Sequence, residues 1–250
     1  MPSRRSLAPL ALALLVLFAG CTMPTGGPSS TDSPAASAPA DGETTASPSP
    51  TATPASERAS PPGVTDSTLE DATALLAAHA DALRETGYRL DVIRTGTQTT
   101  YVAEPDYGSY RVVPGPTNTN PAVWANGSVA VARETRGNET VYNRPPRLWP
   151  SPARMTGSEA LRTLFAAGEY TANGTAPCGD RTCTVLRAEG SDRFENFSGR
   201  ALVHESGVVH QFHASYVVDG EGREFHLVLA ARGNVTVSRP SWVGTALTET

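Results

Sequence analysis

Two cysteines and four histidines are the residues of this chain whose types could do chemistry together. Cys178 and Cys183 stand in CGDRTC, and His204, His210, His213 and His226 follow further along the chain. Thiolates and imidazoles are zinc donors, but zinc needs four ligands, and neither a second Cys-x-x-Cys nor a His pair lies beside CGDRTC in the sequence. In an oxidising compartment such a pair reads as a disulfide, with free thiols as the alternative. Gly179 and Asp180 favour a turn that brings the two Cα atoms into the ~4.4–6.8 Å a disulfide requires. Pivoting two strands on DGEG sets Ser215 opposite His226. His213 is then diagonal to His226, about 7–8 Å away by backbone, too wide for a compact metal pair. No metal and no cofactor is expected.

Other chemistry is thinly represented. The chain lacks Gly-x-Ser-x-Gly, His-Glu-x-x-His, a phosphate-binding loop and Gly-x-Gly-x-x-Gly. Glu221 and Glu224 bracket a turn, while Glu189, Asp192 and Glu195 sit in a polar loop. Neither set resembles the pair of carboxylates flanking a cleft that glycoside hydrolysis uses. Trp124, Trp149 and Trp242 can line a pocket or pack a core and its rim. No catalytic residue is assigned, and no enzyme is expected.

The remaining cysteine, Cys21, has a different context. Arg4 and Arg5 precede an uncharged, mostly apolar run of about 13 residues, Leu7–Ala19. This is the length of a signal-peptide core and short of the ~20 residues a membrane-spanning helix needs. LFAGC then resembles the lipobox of secreted lipoproteins. The resemblance implies cleavage after residue 20, lipidation of Cys21, and attachment to the outer face of the cytoplasmic membrane, at the cell surface. Residues 21–65 are so poor in large apolar side chains that they cannot offset the entropy of ordering, and read as a disordered tether. Its Pro, Ser and Thr also resemble a glycosylated stalk. As a coil it spans roughly 35–40 Å.

Composition narrows the partners. All 20 basic residues are arginine, against 25 acidic ones. Loss of Arg4 and Arg5 with the leader leaves 18 positive charges against 25 negative, a net of about −7. That balance excludes a nucleic-acid partner, which calls for a basic surface. The absence of lysine, with abundant Ala, Gly, Val, Thr and acids, resembles proteins of halophilic archaea. Five Asn-x-Ser/Thr sequons, at Asn126, Asn138, Asn173, Asn196 and Asn234, point to an exposed, glycosylated protein. Asn234 is the poorest of them because it opens an expected strand.

Positioning these residues is the task of a domain expected over 66–244, ahead of a short tail, 245–250. Leu69, Ala72, Leu75, Leu76, Ala80 and Leu83 form a stripe at helical spacing that stops at Gly87, with His79 at its boundary. Strands follow over YRLDV, TTYVAE, GSYRVV, AVWAN, SVAVARE and TVYNR, and PPRLWPSP breaks the sheet. A second helix is expected over TGSEALRTLFAAG, with Thr156 and Glu159 as a capping box. ALVHESG, VVHQFHASYVV, REFHLVLAA and VTVSRP then alternate as an antiparallel meander. Phe212, Ala214, Tyr216 and Val218 share a face with Phe225, Leu227 and Leu229 of the neighbouring strand. The fold class is α+β: a strongly curved antiparallel sheet, a half-barrel, packed on two or so helices.

This order of tether, helix, strands, helix, meander and VTVSRPSWV is similar to the lipoprotein-carrier class, the LolA-like fold and mycobacterial lipoproteins of the LppX and LprG type. It is closer still to haloarchaeal lipoproteins that begin with a lipobox and end on a strand followed by Pro-x-Trp-Val, here Pro240-Ser241-Trp242-Val243. The resemblance spans most of the mature domain and implies a bent sheet wrapping helices around an apolar cavity for acyl chains. It carries no binding residue across. Two functions are therefore expected in parallel: a membrane-anchored protein that binds a lipid or other apolar molecule, or a structural or protein-interaction module of the cell envelope. Replacing Cys21 with Ser blocks lipidation and releases the chain from membranes or leaves it held by an uncut leader. A Cys21→Ser chain found in membranes at normal level with a mature-length N-terminus refutes the lipoprotein reading.

Overall fold

The structure, a computed structural model, describes residues 59–250. The leader over 1–20, Cys21 and nearly all of the tether lie outside the described residues. Helix α1 spans Ala72–Thr86. It starts where the Asp71 carboxylate accepts the free N–H groups of Thr73 and Ala74, at 2.8 and 2.9 Å. It ends where Gly87 takes φ 71°, a positive value that glycine adopts readily and that releases the chain into a strand. Leu75, Leu76 and Leu83 of the expected stripe are buried.

Eleven strands form one antiparallel sheet. β1 (Tyr88–Arg94), β2 (Thr97–Ala103), β3 (Ser109–Pro114), β4 (Ala122–Asn126), β5 (Val129–Arg136) and β6 (Glu139–Asn143) meander outward from the centre. β7 (Thr171–Cys178), β8 (Arg181–Glu189), β9 (Glu195–His204), β10 (Val209–Val218) and β11 (Glu221–Arg232) meander inward from the opposite edge. The two halves join where β11 pairs with β1, from Tyr88↔Arg232 to Arg94↔Phe225. Period-two alternation accounts for the strands: in β1, Tyr88, Leu90 and Val92 are buried while Arg89 is exposed. The β7–β8 hairpin around CGDRTC was not among the expected strands. Conversely, residues 235–240, expected as a last strand, form none, and Val237 instead donates its N–H to Glu104 Oε1 at 2.9 Å.

With β6 and β7 on opposite edges, the chain must cross the sheet between them. The crossing carries α2 (Pro152–Met155) and α3 (Ser158–Phe165). Here the expected capping box gives way. Thr156 Oγ1 bonds the Pro152 carbonyl and Ser158 Oγ, and the residue that opens α3 is Gly157, at φ 76°. A Cβ at Gly157 would strike Leu227 Cδ1, so the tight approach of this turn to β11 requires glycine. The concave side is filled by Leu75, Leu83, Leu161, Phe165, Phe212 and Leu227, each at most 3% exposed. The far end also differs from expectation. Residues 245–249 are not a tail but belong to α4 (Trp242–Glu249). Its Val243 and Ala246 pack with Trp124 and Val131 in a second apolar cluster, separate from the main core.

His79 departs most from its expected place. It is fully buried, not at the boundary of the stripe. Its Nδ1 accepts the Val209 N–H at 3.2 Å, so Nε2 carries the proton and donates to the Thr156 carbonyl at 3.0 Å. One neutral ring thus ties α1, β10 and the α2–α3 turn. Burial lowers its pKa from 6.5 to about 4 against the opposing effect of the Thr156 bond, with small further lowering from His210 and Arg232. The unfolded chain therefore takes up a proton on His79 near pH 6.5 and the folded one only near pH 4. Stability from this group is complete above pH 6.5 and falls as pH drops toward 4, by roughly 3 kcal/mol in all. Gln at this position offers one donor and one acceptor but does not titrate. Between pH 7 and 5 the wild-type Tm falls several degrees further than that of His79→Gln; parallel Tm–pH curves would refute this linkage.

Candidate functional site

Two of the solvent-open clefts among the described residues combine side chains able to bind or react. The first lies between α3 and the turn end of β11 and has a volume of about 400 Å³. Ala160 and Leu164 of α3 face Tyr216 of β10 and Phe225 of β11 across it. Leu164 and Phe225 reach it from the core, each 3% exposed, whereas Ala160 and Tyr216 are half-buried. The aromatic surface extends outward, since the Phe194 ring lies 4.7 Å from that of Tyr216. Arg94 sets its guanidinium 5.7 Å from the Phe225 ring centre, a cation–π contact at the rim. Arg223 beside it is paired with Glu221, and Glu159 and Glu224 lie exposed at the mouth. The cavity implied within the sheet's curve is occupied by core side chains; the cleft opens beside that core.

The second cleft, about 640 Å³, exists because two strands part. The β10–β11 ladder runs from Val218↔Glu221 only as far as Gln211↔Val228. Beyond it, Leu229–Arg232 stay with β1, while Val209 stays with β9. A bulge between Val209 and Gln211 places both His210 and Gln211 on the cleft wall. Thr86, Asp180, Arg181, Ser206 and Arg232 complete the polar lining, with Cys178 of the Cys178–Cys183 disulfide at the floor. The Arg232 Nε–H donates to Thr86 Oγ1 at 3.1 Å. Desolvation, then Arg181, lowers the Arg232 pKa. The same two causes lower that of His204. For His210, desolvation acts first, followed by His204 and then Arg181. Both imidazoles are therefore held toward their neutral form.

Sequence reasoning placed the cysteines correctly and the histidines incorrectly. Cys178 and Cys183 are disulfide-bonded, with Cα atoms 5.8 Å apart. His210, however, joins them: its ring nitrogen and the two sulfurs all lie within 4.8 Å of one another. No sequence signal marks this, because β9 intervenes between β8 and β10 and the bulge turns His210 toward the pair. His213 and His226 are also closer than expected. They are direct cross-strand partners with ring centres 4.2 Å apart. The turn is the two-residue Asp219-Gly220, both at positive φ, not the four-residue DGEG loop, so the register moves by two. His226 also lies 3.8 Å from the Glu224 carboxylate. Desolvation, then His226, lowers the His213 pKa.

Asn126, Asn138, Asn173, Asn196 and Asn234 are all exposed. Asn234 opens no strand, contrary to expectation. Trp124 is buried under the Arg239 guanidinium, Trp242 stacks on Tyr142, and Trp149 is 39% exposed. None of the three lines either cleft. The five-residue separation of Cys178 and Cys183 encloses little chain, so the bridge contributes about 2 kcal/mol. Changing both to Ser lowers the Tm by several degrees and leaves the domain folded. A double variant that does not fold would show the bridge to be essential to the architecture.

No family model matches the sequence, and no curated protein does. Among solved structures, the chain is similar to LprF from Mycobacterium bovis, with 11% identity and a TM-score of 0.39 over 70% of this chain and 98% of that one. It is similar also to the Pseudomonas aeruginosa MucA/MucB complex, with 14% identity and a TM-score of 0.36, over 68% of this chain and 59% of that one. A second structure of MucB, in complex with MucA(peri), matches at 16% identity and a TM-score of 0.28, over 69% of this chain and 65% of that one.

Proposed function

We propose that this chain is a non-enzymatic binding protein displayed at the cell surface by a lipid on Cys21. Its domain holds one apolar chain with an anionic head in the α3–β11 cleft. The observation that carries this reading is the cleft's composition. Ala160, Leu164, Tyr216 and Phe225 give an apolar trough, and Arg94 stands at its rim. Its volume of about 400 Å³ lies in the range of small-molecule sites and suits a single acyl chain. The tail would rest on Phe225 and Tyr216, and a carboxylate or phosphate head would meet Arg94. Leader, lipobox and tether support display outside the membrane, with the tether carrying the domain clear of the lipid surface.

The filled concave side favours a second reading, a protein-interaction module, in which an apolar side chain of a partner occupies the same trough. Two measurements separate them. Native mass spectrometry of the chain purified from its own membranes shows a bound single-chain lipid under the first reading and none under the second. A fluorescent fatty-acid analogue binds the wild type one to one, and Ala160→Phe, which fills the trough, binds it at least tenfold more weakly at an unchanged Tm. Absence of co-purified lipid together with equal probe binding by the two proteins removes the lipid reading.

A further inference from the structure

The disulfide cleft contains a donor set that plays no part in binding an apolar chain. Cys178 closes β7, Cys183 lies on β8, and the bulge in β10 brings His210 to them, with all three ligand atoms within 4.8 Å of one another. Both cysteines are buried and His210 is half-buried on the cleft wall. While the sulfurs are bonded to each other neither is a thiolate. We propose that reduction of the Cys178–Cys183 bridge turns this cluster into a Zn²⁺ site, with Cys178, Cys183 and His210 as ligands and the fourth position open to the cleft.

The chemistry balances with a dithiol as reductant. Thiol–disulfide exchange delivers two electrons and two protons to the bridge, and the dithiol leaves as its own disulfide. Zn²⁺ then displaces both thiol protons to form two Zn–S bonds, and His210 donates a neutral nitrogen lone pair. The two thiolates cancel the charge of the ion, so the site enters the protein without net charge. Tetrahedral zinc with bonds of ~2.3 Å to sulfur and ~2.0 Å to nitrogen holds two sulfurs and a nitrogen about 3.5–3.8 Å apart. The present spread of up to 4.8 Å requires the sulfurs to part and the His210 ring to close in. Arg181, which opens β8 and also lies on the cleft wall, favours their thiolate forms, while Asp180, 4.0 Å from its Nε on the same wall, opposes it. His204 is 6.2 Å from His210, ring to ring, and is not a ligand, because its Nδ1 already accepts the Ser206 N–H at 3.2 Å.

The test uses the full chain carrying Cys21→Ser, in which Cys178 and Cys183 are the only thiols. It is reduced with a phosphine without oxygen and titrated with Co²⁺, then Zn²⁺. The oxidised chain shows no metal-dependent visible absorption. The reduced chain takes up one Co²⁺ with the d–d bands of a tetrahedral ion and a thiolate charge-transfer band, and Zn²⁺ displaces it. His210→Ala weakens Zn²⁺ binding at least tenfold, whereas His213→Ala, on the same strand outside the cluster, does not change it. Circular dichroism covers loss of fold: if reduction unfolds the chain, Zn²⁺ restores the native spectrum in the parent and not in His210→Ala. A reduced chain that takes up no Co²⁺, folded or unfolded, or one that binds Zn²⁺ equally well with His210→Ala, overturns the proposal.

Discussion

His79 is the tie on which this architecture depends. A half-barrel must hold its helices against a sheet that curves away from them, and where strands part it must satisfy the backbone groups they leave. His79 does both with one ring, accepting the Val209 N–H and donating to the Thr156 carbonyl. The Val209 group lies just past the end of the β10–β11 ladder, where no strand of that pair takes it. Leaving such a buried donor unpaired costs about 1–3 kcal/mol, and a charged ring here would lose its acceptor as well as its solvation. A neutral imidazole, an acceptor on one side and a donor on the other, meets both demands, and a protonated one does not.

From that tie follow the two clefts. Because β10 leaves β11 beyond Gln211↔Val228, the sheet opens at the end bearing the disulfide and exposes His210. Because the α2–α3 turn is held down by His79 and fitted to Leu227 by Gly157, α3 is fixed over the opposite stretch of β11. Its Ala160 then leaves room for a trough above Phe225, where a larger side chain would close it. One cleft has an apolar floor and a rim of mixed charge; the other is polar with sulfur beneath. Their chemistries differ because one borders the helices and the other the parted strands.

Much of the fold was legible. Helix α1, the first six strands and the β10–β11 face were recovered from periodicity because the apolar positions they turn to the core repeat at 3.6 or 2 residues. The failures share a physical cause. β7, with its exposed Thr171, Asn173, Gly174 and Thr175, has little apolar face to detect. Residues 235–240 alternate like a strand, yet β1 already pairs with β11 on one side and β2 on the other, leaving no central edge for them. Thr156 and Glu159 match a capping box, but tertiary contact claims the Thr156 hydroxyl, and a glycine that fits under Leu227 opens the helix.

By itself the sequence determined the fold class and the local chemistry: an α+β domain of alternating strands, and a cysteine pair close enough in the chain to bridge. Each of these depends on composition or on residues a few positions apart. The tertiary structure alone decided which distant groups meet. Register set His213 against His226, since a turn shorter by two residues moves every partner across the pair. A bulge placed His210 beside two sulfurs that lie on the far side of β9. Burial made His79 the neutral link between three elements. Such meetings depend on where strands end and part, which is settled by the packing of the whole domain and leaves no local pattern in the chain.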